Sequence, residues 1–252
     1  FVDGRYTLQV RNESDDAHYD FPSFTEEPPA KWIAKHISAG TKLGYDPWLH
    51  TPDQVARIKS ACAKADADLV MCAKNPVDAI WSDQPPPPVS PAVPLGIKFT
   101  GRTSREKRND IGNKLQAEKL DAAVLAAPDS ISWLLNMRGA DVPYSPLVLC
   151  FALVHSDGDV DLFIDPKKIT PELSAALDDG VKIRSQNEIA GALDAAGRAE
   201  KFVSLDPNGV PTWIQDRLNQ AGASVVFADD PCQLPKAIKN NTEMNGIRDA
   251  HH

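Results

Sequence analysis

The chain has 252 residues, 42% of them hydrophobic and 25% charged, a length at which one large or two small domains with buried cores are expected. Its formal net charge of −8 offers no basic footprint for nucleic acid or an anionic membrane surface. No run approaches the roughly 18 consecutive apolar residues a membrane-spanning helix needs, and the opening Phe1-Val2-Asp3-Gly4-Arg5 lacks the basic-then-apolar pattern of a signal peptide.

Without an initiator Met, and opening on what reads as strand, the sequence suggests a chain begun partway through a larger protein. Arg5–Val10 alternates as a strand, and the polar stretch 12–20 reads as a turn or exposed loop. Pro28-Pro29 leads into a helix over Ala30–Ile37, with proline acceptable in the first turn. Thr51-Pro52-Asp53-Gln54 is a helix start with a Thr N-cap, Pro at N1 and Gln completing a capping box; Val55, Ile58 and Cys62 share one face of that helix. Ala67–Ala73 follows as a short apolar strand. Gln84-Pro85-Pro86-Pro87-Pro88-Val89-Ser90-Pro91-Ala92-Val93-Pro94 favours a stiff polyproline II rod and reads as an inter-domain strap, with a ligand for an SH3-like partner as the rival reading.

After the strap, Thr103-Ser104-Arg105-Glu106 is a second capping box, opening a helix to about Lys119 with Ile111 and Leu115 facing inward. A strand over Ala122–Ala127 precedes a short helix capped by Asp129 that carries Ile131, Trp133 and Leu134. The apolar runs Leu147–Val154 and Val160–Ile164 flank Ser156-Asp157-Gly158-Asp159, a hairpin signal. Helices starting at Thr170-Pro171-Glu172, at Asn187-Glu188 and over Pro211–Ala221 alternate with strands Val181–Arg184, Lys201–Leu205 and Ser224–Phe227. Strands alternating with helices around one hairpin predict an α/β layer fold with a mixed sheet. A last helix begins at Thr242-Glu243 and runs to His251-His252 without a C-cap, which reads as truncated.

The fourteen glycines form no phosphate-cradling G-x-G-x-x-G or Walker pattern, and no G-x-S-x-G nucleophile elbow occurs. His18, His36, His50, His155, His251 and His252 fall in no H-E-x-x-H arrangement. His251-His252 reads as a solvated helix end or tag remnant rather than a chelator, and Asp157 with Asp159 as a hairpin turn rather than a calcium loop. Cys62, Cys72, Cys150 and Cys232 are widely spaced and read as reduced thiols, fitting a cytoplasmic compartment. One segment stands apart: the polar loop Asn136–Pro146 carries Arg138, Asp141 and Tyr144 between an apolar helix and a strand. It is either a ligand position at a strand end or a loop shaped by an internal Arg–Asp pair.

Asn136-Met137-Arg138-Gly139-Ala140-Asp141-Val142-Pro143 resembles the N-x-R-G-x-D-V stretch in the second domain of the three-domain cytosolic Xaa-Pro aminopeptidases. Asn75-Pro76-Val77-Asp78-Ala79-Ile80-Trp81-Ser82-Asp83-Gln84-Pro85 is similar to that family's N-L-V-D-x-I-W-x-D-x-P before its domain linker. Asp3-Gly4-Arg5-Tyr6 resembles a first-domain strand, Gly44-Tyr45-Asp46-Pro47 a later turn, and Glu243–His251 the E-x-x-G-x-R-x-x-H helix entering the catalytic domain. The matches cover nearly the whole chain in the family's order.

The resemblance implies an α/β fold of two creatinase/prolidase N-terminal-like domains, each with a mixed sheet flanked by helices, the first incomplete and the pita-bread catalytic domain absent. The boundaries it implies are 1–83 for domain I, 84–97 for the Pro-rich linker, 98–235 for domain II and 236–252 for the helix leading onward. It places the two divalent metals, usually manganese, and every catalytic and metal-binding residue beyond His252, so that this segment holds no cofactor and is inactive alone. Arg138, Asp141 and Tyr144 become the candidate substrate-proximal residues, Arg138 facing a peptide carboxylate. The implied partners are short proline-containing peptides and, at full length, a second copy in a homodimer, with no nucleic acid or membrane. The rival readings are a binding or assembly module of a catalytically diverged relative, and a prolidase or creatinase relative.

Overall fold

The computed structural model, which describes residues 1–251, divides after Ser82 into two units. In the first, the Asp3 side chain accepts from the Arg5 N–H and opens a single 3-10 turn at Gly4–Tyr6 that runs on into α1 (Thr7–Glu13). The strand expected at Arg5–Val10, and the strand assigned by resemblance to Asp3–Tyr6, are therefore both helical. A strand needs a ladder partner and a face to bury, whereas this segment has no buried residue and its contacts are local, such as Gln9 Nε2 to Glu13 Oε1 at 3.1 Å. The strand-like bonds lie at Val2, between Pro22 and Phe24.

The unit continues with α2 (Pro29–His36), β1 (Lys42–Tyr45), α3 (Pro52–Lys64), β2 (Asp68–Met71) and α4 (Pro76–Ile80). β1 and β2 pair in parallel, Lys42 opposite Asp68 and Tyr45 opposite Met71, joined by the α3 crossover. Gly44 and Tyr45 thus belong to a strand, and the turn expected there begins at Asp46. The α3 capping box is formed as the sequence demands, with Thr51 N–H donating to Gln54 Oε1 at 2.9 Å. Ile33, Ala61 and Cys62 make a small core, with Trp32, Leu43, Ile58 and Leu69 packed on it.

The second unit runs through β3 (Val93–Pro94), α5 (Ile97–Thr100), α6 (Ser104–Ala117), β4 (Ala122–Leu125), α7 (Pro128–Leu134) and β5 (Met137–Arg138). After these come β6 (Phe151–His155), β7 (Val160–Phe163), α8 (Pro171–Ala176), β8 (Val181–Arg184), α9 (Ile189–Arg198) and β9 (Phe202–Leu205), then α10 (Thr212–Ala221), β10 (Ser224–Phe227), α11 (Gln233–Ala237) and α12 (Asn241–Asp249). Six strands form one sheet in the order β10-β9-β4-β6-β7-β8. β6 pairs antiparallel with β4 and, through the expected hairpin, with β7; the other neighbours are parallel, so the sheet is mixed.

Alternation along the strands divides the interior in two. Ala123, Leu125, Ala152, Val154, Val160 and Leu162 face a core closed by Ile111 and Leu115 of α6, Ile131 and Leu134 of α7 and Leu173 of α8. Ala122, Val124, Leu153 and Phe163 face a second core closed by Ile189 and Leu193 of α9 and Ile214 and Leu218 of α10. In α7, Pro128 stands at the first helical position with Ala127 as N-cap, so Asp129 lies inside the first turn rather than capping it. Residues 84–91 carry neither helix nor strand. The end of the proline-rich segment, by contrast, is fastened to this unit: Ala92 is fully buried, its N–H donates to Lys168 O at 2.7 Å, and Val93 pairs with Arg138.

Candidate functional site

The loop singled out by sequence hangs from α7, whose Ile131 and Leu134 are fully buried and fix where the helix ends. Asn136 follows in the left-handed region, φ 50°, which asparagine tolerates better than most residues. It is held there from two sides. Its Nδ2 donates to Arg102 O at 2.8 Å, and its Oδ1 accepts from Lys107 Nζ at 2.7 Å.

Lys107 itself is only 1% exposed, donates also to Trp133 O at 2.9 Å, and stands over the Trp133 ring at 4.6 Å. No carboxylate pairs with it among the described residues, and burial pushes its ammonium down to about 8, an effect the charge of Glu243 partly offsets. Sequence reading missed Lys107, although its position four residues before Ile111 and eight before Leu115 puts it on the same buried face of α6.

Anchoring Asn136 sets the next residues. Met137 is fully buried, Arg138 pairs with Val93, and Leu95 N–H donates to Asn136 O at 2.7 Å. A Cβ on Gly139 would stand 2.6 Å from Val148 Cγ2, so the motif glycine is where the loop backbone meets the chain coming back toward β6.

The three candidate residues go to different places. Asp141 is enclosed: its Oδ2 accepts from Lys168 Nζ at 2.7 Å and Leu149 N at 2.8 Å, and its Oδ1 from Ser90 N at 3.2 Å. The Lys168 ammonium also reaches Leu149 O at 3.1 Å. Asp141 thus ties the proline-rich segment, the loop and the 3-10 turn Pro166–Lys168 together, and its partner is Lys168 rather than Arg138. Nothing in the pattern around Lys168 signals that pairing. Tyr144 stands at the loop tip, φ 61° and fully exposed, in the tight turn closed by Ser145 N–H to Val142 O.

Arg138 instead lines a cleft of about 950 Å³ shared with Trp133 of α7, Phe99 near the end of α5, Lys236 of α11, Glu243 of α12 and His251. Its guanidinium is half-buried and donates from Nη1 to Met137 O at 3.0 Å. Among the described residues it forms no ion pair within bonding distance; burial disfavours its charge, and the field of Glu243 restores part of it. The neighbouring cation Lys236 is already paired with Asp129. Most of the five Arg138 N–H donors are therefore available to an incoming acceptor.

Among the described residues no group of three or more His, Cys, Asp or Glu side chains converges as a metal-binding set. His251 Nδ1 lies 2.8 Å from Ile247 O, a contact within its own helical turn; His252 lies outside the described residues. Asp157 accepts from Asp159 N at 2.9 Å within the β6–β7 hairpin. The four cysteines are unpaired, and burial raises the Cys150 thiol to about 12.

Residues 83–243 match the family model described as the creatinase/prolidase N-terminal domain. The chain is 29% identical to Aminopeptidase P1 of Lotus japonicus, covering 100% of this chain and 44% of the plant protein. It is 31% identical to the Probable Xaa-Pro aminopeptidase P of Aspergillus niger, covering 99% of this chain and 42% of the fungal one. Among solved structures, the X-prolyl aminopeptidase of Caenorhabditis elegans, described as a cytosolic enzyme with a di-nuclear active site, superposes with a TM-score of 0.89 at 29% identity. That match covers 99% of this chain and 42% of the worm enzyme. The chain thus spans somewhat under half the length of the relatives it matches.

Proposed function

Since the chain belongs to the creatinase/prolidase N-terminal domain family, we propose that it forms the non-catalytic N-terminal part of a metal-dependent Xaa-Pro aminopeptidase. In this reading it shapes and gates the cleft through which short proline-containing peptides reach a two-metal centre. The carrying observation is Arg138: a half-buried guanidinium that forms no ion pair among the described residues, lining a cleft large enough for a small peptide. A planar fork of N–H donors in a partly dry setting suits a peptide carboxylate, which it can bind bidentately. Asp141 and Lys107 act through it, the first by closing the loop and the second by fixing Asn136, so neither need touch the peptide. Tyr144, exposed at the loop tip, is the residue placed to meet a peptide or a neighbouring domain beyond the cleft.

The described residues do not fit a two-metal centre, so no step of hydrolysis is assigned to them. When bound elsewhere in such an enzyme, the metals would activate the hydroxide that attacks the bond before proline. A cytoplasmic setting agrees with four unpaired thiols. Supplied with manganese and an Xaa-Pro peptide, the purified chain is expected to release no N-terminal residue; robust metal-dependent hydrolysis would mean that the catalytic machinery lies within it.

A further inference from the structure

Glu243 is a carboxylate whose charge bears on two cations that have no ion-pair partner of their own, Lys107 behind the Asn136–Pro146 loop and Arg138 in the cleft. It stands in the first turn of α12, half-buried, and lines the same cleft as Arg138. No ion pair joins the two among the described residues. Glu243 is committed instead to its own helix: its Oε2 accepts from Asn240 N at 3.0 Å, while Glu243 N–H donates to Asn240 Oδ1 at 3.0 Å, closing a capping box.

The box is itself anchored. Asn240 Nδ2 donates to Thr100 O at 2.8 Å, and a Cβ on Gly101, φ 66°, would stand 2.7 Å from Asn240 Oδ1 and 2.8 Å from Thr242 Cβ. The start of α12 is thus seated on the end of α5, and the Glu243 carboxylate is held in place in the cleft wall. The other acids of the lining are differently disposed. Asp129 is paired with Lys236, and Asp249 lies six residues, about 9 Å, further along α12. A fixed anion near a receptor cation offsets part of what burial costs that cation, and it also repels incoming negative charge. The repulsion grows with every negative charge a ligand carries.

We propose that Glu243 is a specificity-determining residue of this cleft, a fixed repulsive charge that admits peptides with one terminal carboxylate and disfavours those with a further acidic side chain near that end. The inference rests on the reading of Arg138 as the partner of the peptide carboxylate. Kinetics of Glu243→Gln in the full-length enzyme test it, since glutamine at this position still closes the capping box. The substrates are a peptide ending in alanine, its amidated form, and the same peptide ending in glutamate. Loss of the repulsion should lower KM by about threefold for the first, which carries one terminal charge, and by about tenfold for the last, which carries two. The amidated peptide should respond least, and Glu243→Asp, which keeps the charge, should retain the wild-type preference. Equal changes for all the peptides, or none, would overturn the proposal.

A readout independent of peptide binding is Lys107, on which the charges of Glu243, Arg102, Arg138 and Cys232 act. In Glu243→Gln its ammonium should lose its proton below the wild-type value of about 8, as read by NMR of isotope-labelled lysine side chains. An unmoved Lys107 would mean that Glu243 does not face these cations, which also overturns the proposal. If Lys107 moves and the kinetics do not, Glu243 selects no substrate. Arg138→Ala then shows separately whether Arg138 meets the peptide.

Discussion

Replacing Asp141 by alanine is expected to cost about 3–5 kcal/mol, because the Lys168 ammonium it pairs with would be left buried beside Leu149 O alone. Urea unfolding measures this, and a loss under about 1 kcal/mol would contradict the reading of a buried pair. Replacing both partners, Asp141→Leu with Lys168→Met, should recover much of the loss, since no charge then stays unmatched. Lys107 gives a different signature. Unfolded, it keeps its proton to about 10.5; folded, it releases it near 8. Between those values the unfolded state binds more protons, so the lysine's penalty is full below pH 8 and fades as pH rises. The stability of the wild type relative to Lys107→Met should therefore rise with pH, by roughly 3 kcal/mol between pH 8 and 10.5. Taking the difference removes groups such as Cys150, whose raised value acts in the opposite direction. A flat difference would mean that Lys107 is not held as a buried cation.

At the scale of the elements, α9 packs tightly on the end of α10 at Gly197, where an added Cβ would stand 2.3 Å from Ala221 Cβ and 2.6 Å from the Ala221 carbonyl carbon. Gly197→Ala must push the two helices apart, at a cost of about 1–3 kcal/mol, whereas Gly191→Ala faces open space. Equal stabilities of the two variants would contradict that contact. Local signals carried most of the second unit: the capping box at Thr103, the hairpin at Ser156–Asp159 and the strands on either side of α9 are where side-chain chemistry and period say they should be. They failed at Arg5–Val10, where apolar alternation had no sheet to join, and at Lys42–Tyr45, where a four-residue strand with one Gly leaves almost no pattern. The site was legible to the same extent. The spacing from Asn136 to Asp141 marked the loop, but which carboxylate meets which cation depends on residues 27 positions apart, as with Asp141 and Lys168, and no local rule reaches that far.

Taken as a whole, the chain offers a sheet-borne scaffold that holds one loop in place with buried polar groups and leaves one guanidinium open to a cleft. If that guanidinium meets the free carboxylate of a peptide, the effect belongs to peptide binding and not to bond cleavage. The decisive measurement is steady-state kinetics of Arg138→Ala in the full-length enzyme, comparing longer peptides with a free and an amidated C-terminus. Loss of one charge-assisted contact should raise KM for the free-acid peptides by about tenfold with kcat little changed, and leave the amidated ones nearly unaffected. Unchanged KM for the free-acid peptides would contradict the account.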